Sequence, residues 1–289
     1  MRRPVLLIFV NAMILIVVFA LLAQSLVIVQ RLAKADKVSG LVEVSRSDKG
    51  EWKPLDTDSL IKTGDRVRSG NDGTAEFRWA DGTRWKIMPA TEIKVGKSTY
   101  NMVQKADQSQ LQLTTGKVFI RIIKALQPTS KFEVETPTAV AAARGTVFSV
   151  EVKNGKTSVA VLKGEVQVSS VGAGDIAKDT LLPGKAAVST YAGDLHQQNA
   201  ASELAAFANQ TSIVQPDLSA QAKPISGNRI LVSGTTEAGN RVTINGKKVR
   251  VLGNGQFLYR ALAETTSIFK IISTDKHGVR ATQVLHCNS

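Results

Sequence analysis

From Lys37 onward, apolar side chains recur at every second position, and Gly, Asn and Asp clusters interrupt them at short intervals. This is the period-two pattern of half-buried strands separated by turns. It is plain at Val42 and Val44, Val118 and Ile120, Phe132 and Val134, Val147 to Val152, Val159 and Val161, and Val166 and Val168. An all-β fold is predicted. One hairpin can be placed in register. Ala75–Trp79 and Thr83–Ile87 flank Ala80-Asp81-Gly82, and a two-residue turn there scatters the apolar side chains over both faces. A three-residue loop with Gly82 left-handed instead pairs Phe77 with Trp85 and Ala75 with Ile87, leaving Arg78 opposite Arg84 towards solvent. Residues 192–224 turn to Ala, Gln, Asn and Ser, with Leu204, Phe207 and Ala208 at helical spacing, and predict a spacer with one short helix. Asn245-Gly246 then sets Val242 against Val249 across a two-residue turn, and about six strands after Gly227 predict a small sandwich.

The start of the chain reads differently. Val5 to Val29 carries no charge and is interrupted only by Asn11, Gln24 and Ser25. As a helix it reaches roughly 37 Å, enough for a hydrocarbon core of about 30 Å. A cleavable signal peptide competes, with Arg2 and Arg3 before the run and Ala23 as a small residue. The run outlasts an h-region of roughly 7–15 residues and has Leu21 where a small residue is needed, so an uncleaved anchor is expected. Arg2 and Arg3 nearly balance Arg31, Lys34 and Lys37, leaving its orientation open. The expected organisation is a stub and transmembrane anchor over 1–36, a β domain over 37–191, the spacer over 192–224 and a β sandwich over 225–289.

The chain has 289 residues, 43% hydrophobic and 21% charged, which excludes wholesale disorder. Its one cysteine, Cys287, excludes an intramolecular disulfide and thiolate clusters, and His196, His277 and His286 match no metal-ligand spacing. The formal charge of +13 divides into +4, +5 and +4 over residues 1–37, 38–192 and 193–289. So even a spread, with 5% aromatics, is not the footprint of a nucleic-acid reader. Trp79 and Trp85 are assigned to the core, the alternative being an exposed sugar-stacking platform. Arg144 beside Gly145 invites an anion-ligand role, but the turn chemistry favours a structural arginine that satisfies buried carbonyls. His277 falls in a turn by composition, and His286 beside Cys287 lies too near the terminus to anchor a nucleophile site. With no phosphate loop, nucleophile elbow or carboxylate pair, no catalytic, cofactor-binding or metal residue is predicted, and the chain is expected not to be an enzyme.

Several motifs nevertheless resemble the FecR domain family: Gly64-Asp65-Arg66-Val67 with Ser69-Gly70, Asp81-Gly82, Leu113-Thr-Thr-Gly116, Thr136-Pro137-Thr138-Ala139-Val140, Ala143-Arg144-Gly145-Thr146 with Phe148, Val161-Leu162-Lys163-Gly164-Glu165-Val166 and Leu182-Pro183-Gly184. The resemblance covers residues 38–190, with Val147 standing where the family often has an acidic residue. It implies a jelly-roll-like, extracytoplasmic β domain. Val232 to Gly239 followed by Val242 to Gly246 is similar to bacterial immunoglobulin-like modules. The leading expectation is a non-enzymatic binding or scaffolding protein, held in the inner membrane by a single span with its bulk extracytoplasmic. Its expected partner is an envelope polyanion, polysaccharide or envelope protein. The alternative is a FecR-type signalling component acting with a separate sigma-regulatory partner, since Met1–Pro4 cannot supply a contact of roughly 800 Å². A carbohydrate-active enzyme with a carboxylate pair in a cleft is a third reading.

Overall fold

The computed structural model describes residues 11, 13–15, 28–46, 48, 50–103, 105–123, 130–171, 177–225, 227–263, 266–275 and 280–288. Alternation of buried and exposed positions builds two long sheets that close into a barrel. One runs from Lys53–Pro54 through Val42–Ser45, Arg66–Ser69 and Glu92–Asn101 to the first part of Ala106–Arg121, and on to Lys131–Glu135, Ala139–Ala143, Val166–Ser170 and Lys178–Leu181. The other runs from Ala33–Ser39 through Thr74–Trp79 and Arg84–Ile87 to the last part of Ala106–Arg121. It continues with Val147–Lys153, Lys156–Lys163, Lys185–Ser189 and Leu195–Asn199. Ala106–Arg121 therefore serves both sheets. It crosses between them at a register shift after Leu113 and at Gly116, whose φ is +88°. A Cβ on Gly116 would fall on the Thr91 backbone and the Ala90 carbonyl, so the crossing requires glycine.

The hairpin adopts the expected register, with Phe77 opposite Trp85, Ala75 opposite Ile87 and Arg78 opposite Arg84. Gly82 has φ +84°. Phe77 and Trp85 stack with ring centroids 3.9 Å apart, and the aromatic chain continues through Trp79 and Phe132 to Phe148. Trp79 and Trp85 are 1% and 0% exposed, which removes the sugar-platform alternative for them. Only one of the two arginines faces solvent. Arg78 is exposed and pairs with Asp36, whereas the Arg84 side chain is 16% exposed and pairs with Asp217. The outer face around Arg84 is covered from a distant part of the chain. Helix α1 (Ala201–Ala205), a 3₁₀ turn (Ala206–Asn209) and helix α2 (Thr211–Val214) bring Phe207 and Ile213 onto Phe119 and Val147. Phe207 meets Phe119 edge-to-face at 4.8 Å.

The expected transmembrane helix over 5–29 is overturned. Among the described residues no helix is long and apolar enough to cross a membrane. Asn11 and Met13–Leu15 are helical, the rest of 1–27 lies outside the described residues, and Ile28–Gln30 is a strand antiparallel to residues 99–101. The single-pass inner-membrane localisation loses its support with it. Arg31, counted above as a membrane-flanking charge, is instead packed into the barrel. Its guanidinium pairs with Asp81 at 2.8 Å and Asp107 at 3.1 Å, donates to the Ser109 hydroxyl at 3.0 Å and lies 5.6 Å over the Trp79 ring. Ala33 and Ala35 follow it, fully buried.

Beyond Asp217, Leu218–Ile225, Arg229–Thr236 and Gln256–Leu262 form a three-stranded sheet. Lys247–Val249, Arg241–Ile244, Thr266–Thr274 and Arg280–Asn288 form a four-stranded one. Val242 lies opposite Val249 as expected, with Asn245 at φ +47° and Gly246 at φ +79°. Ile230, Val232, Val242, Ile244, Phe257 and Ile271 form a core distinct from that of the barrel, and Cys287 is buried in it.

Candidate functional site

A cluster of buried charges lies where the barrel meets the C-terminal sheets. Arg121 ends the shared strand with a side chain only 6% exposed. It forks onto Glu237, Nε donating to Oε1 at 2.9 Å and Nη2 to Oε2 at 2.6 Å, while Nη1 donates to the Val214 carbonyl at 3.0 Å. Asp275 sits 3.6 Å from the same guanidinium, and Lys163 approaches Asp275 at 3.8 Å. The Arg84–Asp217 pair lies at the same border. Three cations from the barrel thus meet three carboxylates from Asp217 and the segments beyond it. Burial pulls Lys163 below the ordinary lysine range, and Asp275 opposes that pull. Burial likewise lowers Arg84, against the attraction of Glu237. A cavity of about 160 Å³ opens beside Arg121, Gly145, Asn240 and Asp275. A cleft of about 310 Å³ runs along Arg78, Asp81, Asp217 and Glu237.

The seam joins the barrel to the C-terminal sheets through paired charges. Each carboxylate faces a cation, and the bidentate guanidinium–carboxylate fork is the strongest form of that contact. No group of three or more His, Cys, Asp or Glu side chains able to hold a metal ion occurs among the described residues.

The motif residues turn out to be the barrel's fittings. Asp65, fully buried, accepts from the Lys62 amide and from Arg46 across a turn. Thr136 and Thr138 both contact the Thr157 hydroxyl, at 2.7 and 2.6 Å, and the Ser189 hydroxyl donates to the Thr138 carbonyl, so a buried hydroxyl network ties the two sheets together. Gly164, at φ +79°, packs against Thr146 and the Gly145 carbonyl, where a Cβ would not fit. Arg144 is exposed. His286 is exposed and Cys287 buried, while His277 lies outside the described residues. His196 is exposed and faces Asp194 at 3.2 Å.

Sequence reasoning missed the seam, although Arg121 carries a signal: it is a lone charge in the apolar run Val118 to Ile123. Trp52 was missed as well. It is half-buried on the outer face, with the Arg68 and Arg66 guanidinium groups 4.3 and 5.1 Å from its ring centroid. Those arginines also pair with Glu43 and Glu92, and Lys94, Lys86 and Lys117 pair with Asp48, Glu76 and Glu151. These five cations are thereby paired locally.

The class defined so far is an all-β barrel joined to two further sheets through a buried ionic seam. Residues 65–167 match the family model described as FecR protein. That match includes Arg121, the Arg144-Gly145-Thr146 turn and Lys163. Two solved structures of a candidate anti-sigma factor from Parabacteroides distasonis ATCC 8503 are similar to this chain at 18% and 17% identity. Both have a TM-score of 0.36 over 46% of this chain. The likeness spans 59% of the length of those proteins. Polysaccharide Lyase BACCELL_00875 aligns at 10% identity over 86% of this chain and 39% of its own, with a TM-score of 0.21. At these scores neither likeness bears on the chemistry of this chain. No curated protein matches it.

Proposed function

We propose that this chain is a non-enzymatic FecR-type signalling component that works through a separate sigma-regulatory protein. The observation that carries the reading is the FecR match over residues 65–167, which falls on the barrel and its half of the seam. The seam supports it physically, because a signalling component needs its modules coupled, and a bidentate buried pair couples them. A polyanion-binding barrel is less well supported, since many of the lysines and arginines of its outer face are already paired with carboxylates. Transcript profiling of cells with and without the chain tests the proposal. A narrow set of genes should change and return on complementation; an unchanged profile refutes the reading. Shortening of envelope glycans by the purified protein would overturn its non-enzymatic part.

A further inference from the structure

The C-terminal sheets carry a surface of a different kind. From Leu218 onward the sequence has ten Lys and Arg residues against three acidic ones, Glu237, Glu264 and Asp275. Two of those three, Glu237 and Asp275, are consumed in the seam. Strand Gln256–Leu262 pairs with Arg229–Thr236 on one side, and among the described residues its other side meets only an isolated bridge from Val251 to Phe257. The direction of its backbone groups follows from two flanking bonds. The Ala263 amide donates to Asn228 and the Gly255 carbonyl accepts from Thr236, so odd-numbered residues of this strand point their backbone into the sheet. Arg260 and Leu262 therefore present their N–H and C=O groups to the open edge, whereas the Leu258 amide faces Arg250 across the Val251–Phe257 bridge. The side chains of all three share the outer face, where Leu258 is 63% and Leu262 75% exposed. Lys223 and Leu231 lie across from Arg260, and Arg229 lies across from Leu262. Among the described residues no acidic side chain occurs on this face, and Lys223, Arg229 and Arg260 form no ion pair.

We propose that this edge is a docking site for an extended protein segment that adds to the sheet as an antiparallel strand. The segment would carry an acidic residue opposite Arg260 and an apolar residue two positions before it, opposite Leu262. Open edges bind strands by main-chain hydrogen bonds and choose them by alternate side chains. The spacing of Arg260 and Leu262 specifies a complementary apolar–x–acidic pattern, with the exposed Leu258 side chain beside it on the outer face. A second copy of this chain is a poor occupant, because antiparallel self-pairing about Arg260 puts arginine opposite arginine. A charge at mid-edge also guards against aggregation, but that role alone does not account for two leucines left open beside it. The proposal goes beyond the signalling reading and does not depend on it.

The probe is a labelled peptide with a Leu-Thr-Glu-Thr-Leu core, titrated with purified full chain by fluorescence anisotropy beside its Lys-for-Glu counterpart. The Glu peptide should bind and the Lys peptide bind more weakly. Arg260→Glu should reverse the preference, the swing being about five- to tenfold for one cross-strand charge pair. Arg260→Pro deletes an amide that faces the open edge and leaves the ladder bonds intact, so it should abolish binding with the thermal midpoint little changed. The double variant Leu258→Ser, Leu262→Ser changes only exposed side chains and should weaken binding without unfolding. No binding of the Glu peptide, equal binding of both peptides, or full binding by Arg260→Pro overturns the proposal. So does leucine-dependent sedimentation with anionic phospholipid vesicles in the absence of peptide binding, which would make the face a lipid contact instead.

Discussion

Replacing Arg121 by methionine keeps most of the side-chain volume and removes the charge. The substitution strips Glu237 of both its guanidinium bonds and leaves the Val214 carbonyl without that donor. Glu237 is 8% and Asp275 4% exposed, so neither carboxylate can recover its hydration without opening the seam. Lys163, 3.8 Å from Asp275, compensates only one of them. Breaking a buried pair from one side costs about 3–5 kcal/mol, mostly as the penalty of the stranded charge. With a urea dependence of about 3 kcal/mol per molar, a drop of roughly 1–2 M in the unfolding midpoint is expected. The double variant Arg121→Met, Glu237→Leu removes the stranded charge and leaves Asp275 with Lys163. It should recover most of the loss, because a buried ion pair is often close to neutral against a packed apolar replacement. Urea titrations of wild type, both single variants and the double variant close the cycle. A loss under 1 kcal/mol in Arg121→Met, or a double variant no better than it, would show that the seam is hydrated and does not hold the parts together as argued.

Phe77→Ala should lose about 3–5 kcal/mol by denaturation midpoint, since it empties the stack on Trp85. Arg84→Ala should cost more than the half kcal/mol typical of a surface site, because its side chain is mostly buried beneath the helical segment and paired with Asp217. Burial pushes the Asp107 carboxyl above its ordinary value of 3.8, against the pull of Arg31. The folded state therefore holds that proton more tightly than the unfolded chain, and this contribution to stability is lost as pH rises from about 3.8 through the folded value. Asp107→Asn should accordingly gain in thermal midpoint relative to wild type as pH rises from 4 to 8; a pH-independent difference refutes this. Gly246→Ala should lose about 1 kcal/mol in denaturation for its left-handed backbone alone. Gly255→Ala should lose more, because its Cβ would also collide with the Thr236 carbonyl.

What could be read from sequence was what is local. The registers at Asp81-Gly82 and Asn245-Gly246 follow from a turn and the alternation beside it, both within about a dozen residues. Arg84 was misplaced for the same reason: alternation says which face it is on, not that residues 207–217 return to cover that face. Glu237 lies 116 positions from Arg121, and nothing near either residue names the other. The apolar run before Gln30 shows the converse limit. Hydropathy marks a stretch that avoids water, whereas the pairing of Ile28–Gln30 with residues 99–101 depends on a strand some seventy positions away. In the FecR motifs, the glycines and threonines were legible as turns, but the hydroxyl network through Thr157 and Ser189 was not.

The strand Ala106–Arg121, shared by both sheets, limits how this fold can change length during evolution. A one-residue insertion in an ordinary strand turns its side chains to the other face and disturbs its immediate neighbours. Here the same insertion would shift pairings with residues 84–87 and 147–152 in one sheet, or with 92–101 and 131–135 in the other. Phe119 and Arg121 would be carried away from the helical cover and the seam together. The exception is the crossing between Leu113 and Gly116, where the register already slips and an extra residue has somewhere to go. Relatives of this barrel should therefore gain and lose residues in their turns or at that crossing, and keep the rest of the strand at constant length.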